Sequence, residues 1–307
     1  MHNIKGVDHV GIGVKDFAGM KAFYRDVLGF TRIFGEMPEE DHLPIQPLIR
    51  TSPALHSAIQ IQQDAGGLSV ALFHAVSPVP RPIRKDFRYG DIGINKTTIA
   101  VSSIDDLYRD FKGKIRFCAK PKRVTIPGWG DYYFVYGKDP EGNLIEFVSG
   151  SKFETSSRFG GVRWIGIGVT EIERSREFYQ RHLGFDRILI NTHESFSGAI
   201  DEVTGFKTAV RSCVITNSKG NGTVELIELV KPRGRSIPFG VNWGDWGYLQ
   251  LCLLGSNIKD TEDYFTKQDM EFMLKPQAID DPEHAGLAFL YLRDPDGIPI
   301  ETMTLPG

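Results

Sequence analysis

The chain has 307 residues, 41% of them hydrophobic, and can bury a core large enough for two ordinary domains or one large one. Its 36 lysines and arginines nearly balance 39 aspartates and glutamates, without a long run of either sign. This balance argues against a nucleic-acid or anionic-membrane partner and favours a small-molecule ligand.

Membrane and disulfide signals are weak in this sequence. The longest apolar runs fall short of the roughly 18 residues that indicate a membrane span. Three cysteines, Cys118, Cys213 and Cys252, lack metal-type spacing. The first residues, MHNIKGVDHV, read as the start of a strand without an apolar signal region. We therefore expect reduced thiols and a cytoplasmic location.

The first predicted elements lie in VDHVGIGVKDFAGMKAFYRDVLGF, residues 7–30. Alternating apolar residues up to Val14 predict a strand. Asp16 suits a helix N-cap, an apolar stripe at helical spacing follows, and Gly29 suits the C-terminal cap. The next runs, HSAIQIQ and LSVALFHAV, alternate as strands do.

A weaker echo of this pattern follows in the same half. KTTIAVSSI, residues 96–104, starts another strand that leads into an amphipathic helix, and YGKDPEGNLIEF, residues 136–147, closes the half. The polar, glycine-rich segment SGSKFETSSRFGG, residues 149–161, reads as a linker.

The second half repeats the first at a constant offset of 155 residues. VRWIGIGVTEIERSREFYQRHLGF, residues 162–185, matches 7–30, and YLRDPDGIPIET, residues 291–302, matches 136–147. QLCLLGSNI, residues 250–258, is the internal echo of this half. The pattern predicts an α+β fold of four βαβββ modules in two domains, residues 1–150 and 160–307.

With DHVGIGV, FYRDVLGF and DPEGNLIEF in place, the chain resembles the vicinal oxygen chelate (glyoxalase/bleomycin resistance/dioxygenase) superfamily over nearly its whole length. Its four-module length is similar to that of the type I extradiol dioxygenases. The resemblance implies that paired modules curl into two cup-shaped open barrels, modules 1 and 2 in one and modules 3 and 4 in the other. It also implies a divalent metal in a cup. Glycines on the concave face, such as Gly11 and Gly13, are expected to leave room for a ligand.

The closing segment from His284 to Glu301 resembles the extradiol dioxygenase signature. The resemblance implies Glu301 as a metal ligand, His284 as a second-sphere acid or base, and Tyr291 as a substrate hydrogen-bonding group. Alternatively, the DPDG turn and the tyrosine are general features of the family that do not fix a function.

The two first-strand histidines of an extradiol site fall at Trp164 and Gln250, and neither is histidine. Since indole offers no lone pair to a metal, and an iron oxygenase of this kind needs two imidazoles, ring cleavage is disfavoured. A glyoxalase-like set of Glu225, Gln250 and Glu301 would suit Mg²⁺ or Mn²⁺. The alternative is that no metal binds and that both carboxylates are paired or solvated. Trp164 and Tyr248 are candidate substrate contacts.

In the first half, His9 and Glu146 occupy ligand positions, with Ala71 at an optional fourth position. Lys96 stands where a second histidine would lie. Its ammonium is expected to face Glu146 and supply the charge that a metal otherwise brings. Alternatively, Lys96 anchors an anion or acts as a base.

An enzyme acting on a small oxygenated molecule is the function we favour, by proton transfer, isomerisation or elimination next to a carbonyl. Glu301 or Glu225 would be the base, and Gln250, Tyr291 or a divalent metal (Mn, Mg or Fe) would stabilise the enolate. Two alternatives stay open: an extradiol-type dioxygenase with an altered metal site, and a non-catalytic binding protein in which Trp164 stacks on the ligand. A homodimer is expected only by analogy with the family.

Overall fold

The computed structural model describes residues 3–40, 56–77, 79–237, 241–278 and 286–305. Within these ranges the chain folds into four modules, each built from a strand, a helix and further strands, as the sequence predicts. No helix in the described ranges is long and apolar enough to cross a membrane.

The first half contains modules 1 and 2. Module 1 consists of β1 (Ile4–Gly13), α1 (Phe17–Ala22) continued by a π-helical turn (Phe23–Val27), β2 (Arg32–Glu40), β3 (His56–Gln63) and β4 (Gly66–Ala75). Module 2 consists of β5 (Gly93–Val101), α2 (Ile104–Phe111), β6 (Arg116–Phe117), β7 (Lys122–Ile126), β8 (Gly130–Lys138) and β9 (Leu144–Ser149).

The second half contains modules 3 and 4. Module 3 consists of β10 (Phe159–Gly168), α3 (Ile172–Leu183), β11 (Arg187–Thr192), α4 (Asp201–Thr204), β12 (Ala209–Thr216) and β13 (Thr223–Lys231). Module 4 consists of β14 (Gly247–Gly255), α5 (Ile258–Lys267), β15 (Phe272–Ala278), β16 (Ala288–Arg293) and β17 (Pro299–Thr304).

The predicted caps of α1 are present. The Asp16 side chain accepts a hydrogen bond from the Gly19 amide at 2.9 Å, which satisfies a donor that the first turn leaves open. Gly29 has φ +76°, a backbone conformation that costs glycine little. The apolar stripe of the strand and helix is buried, and Val10, Ile12 and Val14 are each 0% exposed.

The modules pair across the two halves of the sequence. β1 of module 1 runs antiparallel to β14 of module 4, and the order of strands is β2-β3-β4-β1-β14-β17-β16-β15. We call this open sheet the outer cup. β5 of module 2 runs antiparallel to β10 of module 3, in the order β7-β8-β9-β5-β10-β13-β12-β11. We call this sheet the inner cup.

This arrangement differs from the expected pairing of modules 1 with 2 and 3 with 4. The repeat in the sequence shows that the four first strands are equivalent, but equivalent strands offer equivalent edges to one another. Which two edges meet is decided by the crossover segments between the modules, whose contacts are long-range.

The two crossovers, between β4 and β5 and between β13 and β14, are joined to each other by a backbone hydrogen bond and an ion pair. In the first, the backbone amide of Arg81 donates to Asp245 of the second at 3.0 Å. In the second, the Arg235 guanidinium donates to Asp91 of the first, with Nη2 2.6 Å from Oδ2. Asp91 and Asp245 are 2% exposed, and a buried carboxylate is costly unless donors of this kind satisfy it. The reciprocal contacts hold the crossovers in place.

Two glycines leave space for the backbone of these crossovers. A Cβ atom added to Gly13 would lie 1.9 Å from the carbonyl oxygen of Asp245, and one added to Gly168 would lie 1.9 Å from that of Asp91. The space that the sequence suggested for a ligand is therefore occupied by backbone at these two positions.

Candidate functional site

A row of polar side chains crosses the centre of the outer cup. In the β1–β14 ladder, His9 lies opposite Cys252 and Gly11 lies opposite Gln250. Cys252 is paired with Glu301 in the β14–β17 ladder, and Glu301 lies opposite Tyr291 in the β16–β17 ladder. The antiparallel pairing of modules 1 and 4 therefore brings the side chains of His9, Gln250, Tyr291 and Glu301 together.

These side chains form a continuous chain of contacts. Gln250 Nε2 donates to Glu301 Oε2 at 2.6 Å, and the Tyr291 hydroxyl donates to Gln250 Oε1 at 3.1 Å. His9 Nε2 lies 3.7 Å from Glu301 Oε2. His9, Gln250, Tyr291 and Glu301 are all at most 9% exposed. A carboxylate, an amide and an imidazole thus share one buried spot.

Asp8 and Gln60 orient the imidazole of His9. Asp8 Oδ2 lies 2.8 Å from His9 Nδ1 and accepts a hydrogen bond from Gln60 Nε2 at 2.8 Å. A carboxylate at Nδ1 favours the proton on that nitrogen, which leaves the lone pair of the neutral ring on Nε2. His9 Nε2 is buried without a hydrogen-bond partner among the described residues, although a buried nitrogen normally has one.

The charges of this cluster are coupled. Burial lowers the pKa of His9, but Asp8 and, less strongly, Glu301 raise it more, so the pKa lies above its usual value. Burial raises the pKa of Glu301, opposed by His9. The two carboxyl groups therefore stabilise the protonated form of His9, and a cation bound at Nε2 would have to replace that proton.

These residues fit a divalent cation. The unpartnered His9 Nε2, the Glu301 carboxylate and the Gln250 amide oxygen form a mixed nitrogen and oxygen donor set of the kind that Mn²⁺ and Fe²⁺ accept. Gln250 would present Oε1 after rotation of its terminal amide, whose two ends are assigned from hydrogen bonding. Atoms of Asp8, His9 and Cys252 also lie within 4.8 Å of one another. However, burial raises the pKa of the Cys252 thiol well above its usual value, and a protonated thiol is a poor ligand.

Apolar side chains stand beside the polar row. The ring of Trp243 lies 4.8 Å from that of Phe73, and Phe289 packs edge-on against Tyr291 with ring centroids 6.1 Å apart. A small opening is lined by Trp243, Met273 and Tyr291 together with Gln250. A ligand here would meet polar donors on one side and an apolar wall on the other.

The inner cup holds an ion cluster at the corresponding place. Lys96 Nζ lies 2.5 Å from Glu146 Oε2 and 2.7 Å from Glu225 Oε2, and the lysine is 1% exposed. The contact with Glu146 is the one that the sequence predicted. Burial lowers the pKa of Lys96, but the two glutamates raise it above its usual value. The ammonium therefore stays charged where a metal would otherwise lie.

Aromatic side chains fill the rest of the inner cup. Trp164 is 4% exposed, with its ring centroid 6.4 Å from that of Tyr132 and 5.2 Å from that of Phe153. A Cβ atom added to Gly166 would lie 2.6 Å from Lys96 Cγ, so the glycine makes room for the lysine. Trp164 is a core residue, which does not support the predicted substrate contact.

The structure regroups the predicted ligands. Glu225 lies in the inner cup with Lys96 and accepts from Ser212 at 2.7 Å, so it does not converge with Gln250 and Glu301. The other predicted pair is also divided, because His9 is in the outer cup and Glu146 is in the inner one. In both cases the regrouping follows from the pairing of modules across the halves.

Two further predicted residues stand apart from the polar row. The Tyr248 hydroxyl donates to the carbonyl of Leu144 at 2.8 Å and accepts from the Thr97 amide at 3.1 Å. Tyr248 therefore bridges to the inner cup and does not face Gln250. His284 lies outside the described residues.

Sequence analysis missed Asp8 and Gln60. The signal for Asp8 was its position next to His9, since a carboxylate often accompanies a metal-binding histidine. Gln60 lies 52 residues further along the chain, and only the strand register shows that the two meet.

Comparisons with known proteins agree with this fold. The sequence profile of the Glyoxalase/Bleomycin resistance protein/Dioxygenase superfamily matches residues 6–147 and again 161–302. None of the curated protein sequences compared with the chain matches it.

Solved structures with the same fold include two crystal structures of glyoxalase I from Zea mays. One, of a mutant, has a TM-score of 0.63 and 14% identity, covering 98% of this chain and 94% of that one. The other has a TM-score of 0.58 and 13% identity, covering 99% and 92%. A Bacillus subtilis protein described as a candidate dioxygenase has a TM-score of 0.61 and 12% identity, covering 100% and 87%.

Both halves of the sequence match the profile, and the modules of both halves form open cups of the same architecture. The chain belongs to the glyoxalase/bleomycin resistance protein/dioxygenase superfamily.

Proposed function

We propose that the outer cup binds one divalent cation through His9 Nε2, the Gln250 amide oxygen and the Glu301 carboxylate. We further propose that the protein is an enzyme that moves a proton next to a carbonyl of a small oxygenated molecule. The observation that carries the proposal is the buried His9 Nε2, unpartnered among the described residues and 3.7 Å from Glu301.

Each residue of the polar row has a role in this scheme. The cation, when bound, supplies positive charge that polarises the carbonyl oxygen. Glu301 accepts the proton as the carboxylate of the row. Tyr291 positions the Gln250 amide through its hydroxyl, and Asp8 positions His9. Trp243 and Met273 line the opening through which a substrate would reach the row.

The other two functions receive less support from the site. Ring cleavage of the extradiol type relies on two imidazoles and one carboxylate, whereas this row contains one imidazole, His9, among the described residues. A binding protein without turnover would need the same contacts, so only an activity measurement separates it from an enzyme.

Cation binding is tested with Mn²⁺ alone, titrated into the full chain and followed by the electron paramagnetic resonance signal of the free ion. We expect about one equivalent to bind to the wild type, and at least tenfold weaker binding in His9→Gln and Glu301→Gln. Glu146→Gln is the matched control, because Glu146 holds the same repeat position in the inner cup. If this control lost Mn²⁺ and Glu301→Gln kept it, the outer cup would be the wrong site.

Proton transfer is tested by incubating the Mn²⁺-loaded protein with a panel of α-hydroxy ketones and α-hydroxy aldehydes in D₂O. We expect loss of the proton next to the carbonyl in the ¹H NMR spectrum of at least one compound, abolished by Glu301→Gln. Mn²⁺ binding without exchange in any compound would favour the non-catalytic alternative.

A further inference from the structure

A groove of about 990 Å³ lies between modules 1 and 2 and the end of the second crossover. Its rim is formed by the turn after β1, the first crossover, β6 and the turn between β8 and β9. Its floor includes the buried side chains of Ile94, Leu144 and Tyr248. None of its lining residues is a proposed cation ligand, so the groove is separate from the polar row.

The groove concentrates positive charge on a protein whose formal net charge is −3. Three acidic residues line it, Asp16, Asp86 and Glu141. Twice as many basic residues do so, namely Lys15, Arg84, Lys85, Arg88, Arg116 and Lys138. A concave surface lined by one sign of charge attracts ligands of the opposite sign.

The three carboxylates are already bound to donors. Asp16 caps α1 through the Gly19 amide. Asp86 pairs with the Arg235 guanidinium at 2.5 Å. Glu141 accepts from the backbone amides of Lys15 and Asp16 at 2.8 and 2.7 Å. None of the three forms an ion pair with Arg116 or Lys138 in the described residues, and six basic side chains outnumber them at the rim.

Arg116 and Lys138 are the most informative part of the rim. They lie directly opposite each other in the β6–β8 ladder, and neither side chain has an ion-pair partner among the described residues. Like charges at opposite positions of a sheet repel each other. The Arg116 guanidinium also reaches the turn at Gly142, 3.4 Å from the position of an added Cβ atom. An anion between the two side chains would remove the repulsion.

We propose that this groove binds a small organic anion of the phosphate class, with its phosphate held by Arg116 and Lys138 and its organic body on the apolar floor. Guanidinium and ammonium groups are the usual phosphate partners in proteins. A volume of about 990 Å³ lies in the range of small-molecule sites. Arg84 frames the groove and is itself held by Asp91 at 3.4 Å.

The test is isothermal titration of the full chain with 1-naphthyl phosphate and, separately, with inorganic phosphate. We expect the organic anion to bind at least tenfold more tightly, because only it reaches the floor. The double variant Arg116→Gln/Lys138→Gln should weaken its binding at least tenfold. The matched control, Arg187→Gln/Lys219→Gln, removes one arginine and one lysine that are exposed outside the groove, and it should bind as the wild type does.

Several results would overturn the proposal. Absence of binding to the wild type at millimolar concentration is one, and equal weakening in the control variant is another, since that would indicate general charge attraction. Loss of binding in Glu301→Gln would place the anion in the outer cup. Equal affinity for the two phosphates would contradict the role of the floor. Unchanged melting temperatures would show that both double variants are folded.

Discussion

His9 and Lys96 hold corresponding positions on the first strands of modules 1 and 2, yet they prepare the two cups for different chemistry. His9 presents a buried ring nitrogen, Nε2, without a hydrogen-bond partner among the described residues, while Asp8 holds the other ring nitrogen. Lys96 presents an ammonium between Glu146 and Glu225, and a fixed positive charge repels a metal ion. One side chain therefore separates a candidate cation site from a core whose positive charge comes from its own lysine.

Lys96→Met tests whether the lysine supplies the positive charge that the inner cup needs. The change keeps the length of the side chain but leaves two buried carboxylates without their cation, so we expect a loss of roughly 3–5 kcal/mol in unfolding free energy. The triple variant Lys96→Met/Glu146→Gln/Glu225→Gln should recover part of it. Chemical denaturation at pH 7 measures both. Lys259→Met, at a lysine 69% exposed, should change stability by less than about 1 kcal/mol. An unchanged unfolding free energy in Lys96→Met would contradict a stabilising role of the lysine between the two glutamates.

At the scale of elements, the DPEG and DPDG turns join each last strand to a helix in the neighbouring module. Glu141 of the first turn accepts the amides at the start of α1, and Asp296 of the second accepts the Thr170 amide just before α3 at 3.1 Å. The first aspartate of each turn is buried. Burial raises the pKa of Asp139 to about 6 and that of Asp294 to about 7.

Asp294→Asn should flatten the pH dependence of stability. Folded Asp294 keeps its proton between about pH 4 and pH 7, where the unfolded chain has released it, so wild-type stability falls as pH rises through that window. Asparagine can still accept from the Asp296 and Ile298 amides through one oxygen. We expect the variant to gain on the order of 2 kcal/mol relative to wild type between pH 5 and pH 8. Denaturation at several pH values measures it.

The Asp139→Asn variant is the internal comparison. Its gain in stability relative to wild type should stop rising with pH about one pH unit lower than that of Asp294→Asn, because the pKa of Asp139 is about 6. Parallel pH profiles for the wild type and both variants would show that folding does not raise the pKa of either aspartate.

At the scale of the whole molecule, the sequence predicted the four modules, but it did not predict which modules share a cup. Periodicity and turn residues act over a few positions, so they define the strands. The pairing of β1 with β14 depends on contacts between crossovers, such as Arg235 with Asp91. Those contacts join residues far apart in sequence, and the pattern of either segment alone does not show them.

Production of residues 1–150 and 160–307 as separate chains tests the observed pairing. Each half contains only one of the two modules that form each cup. The first strand of each module would therefore expose an unpaired edge. We expect neither half to be a stable monomer and the mixture to form a 1:1 complex by size-exclusion chromatography with light scattering. Mn²⁺ binding should require the mixture, since His9 comes from one half and Glu301 from the other. A monomeric, Mn²⁺-binding half would contradict the structure.

The placement of modules 2 and 3 next to each other in the chain also sets an order of events during folding. The inner cup closes within residues 93–231, whereas the outer cup pairs Gly11 with Gln250 across the whole of the inner one. Long-range closure carries the larger entropy loss and is slower. Pulsed hydrogen exchange during refolding should therefore protect amides of β5 and β10 before those of β1 and β14. On the ribosome, the inner cup can form while module 4 is still being made, so the proposed cation site would be the last part of the protein to come into existence.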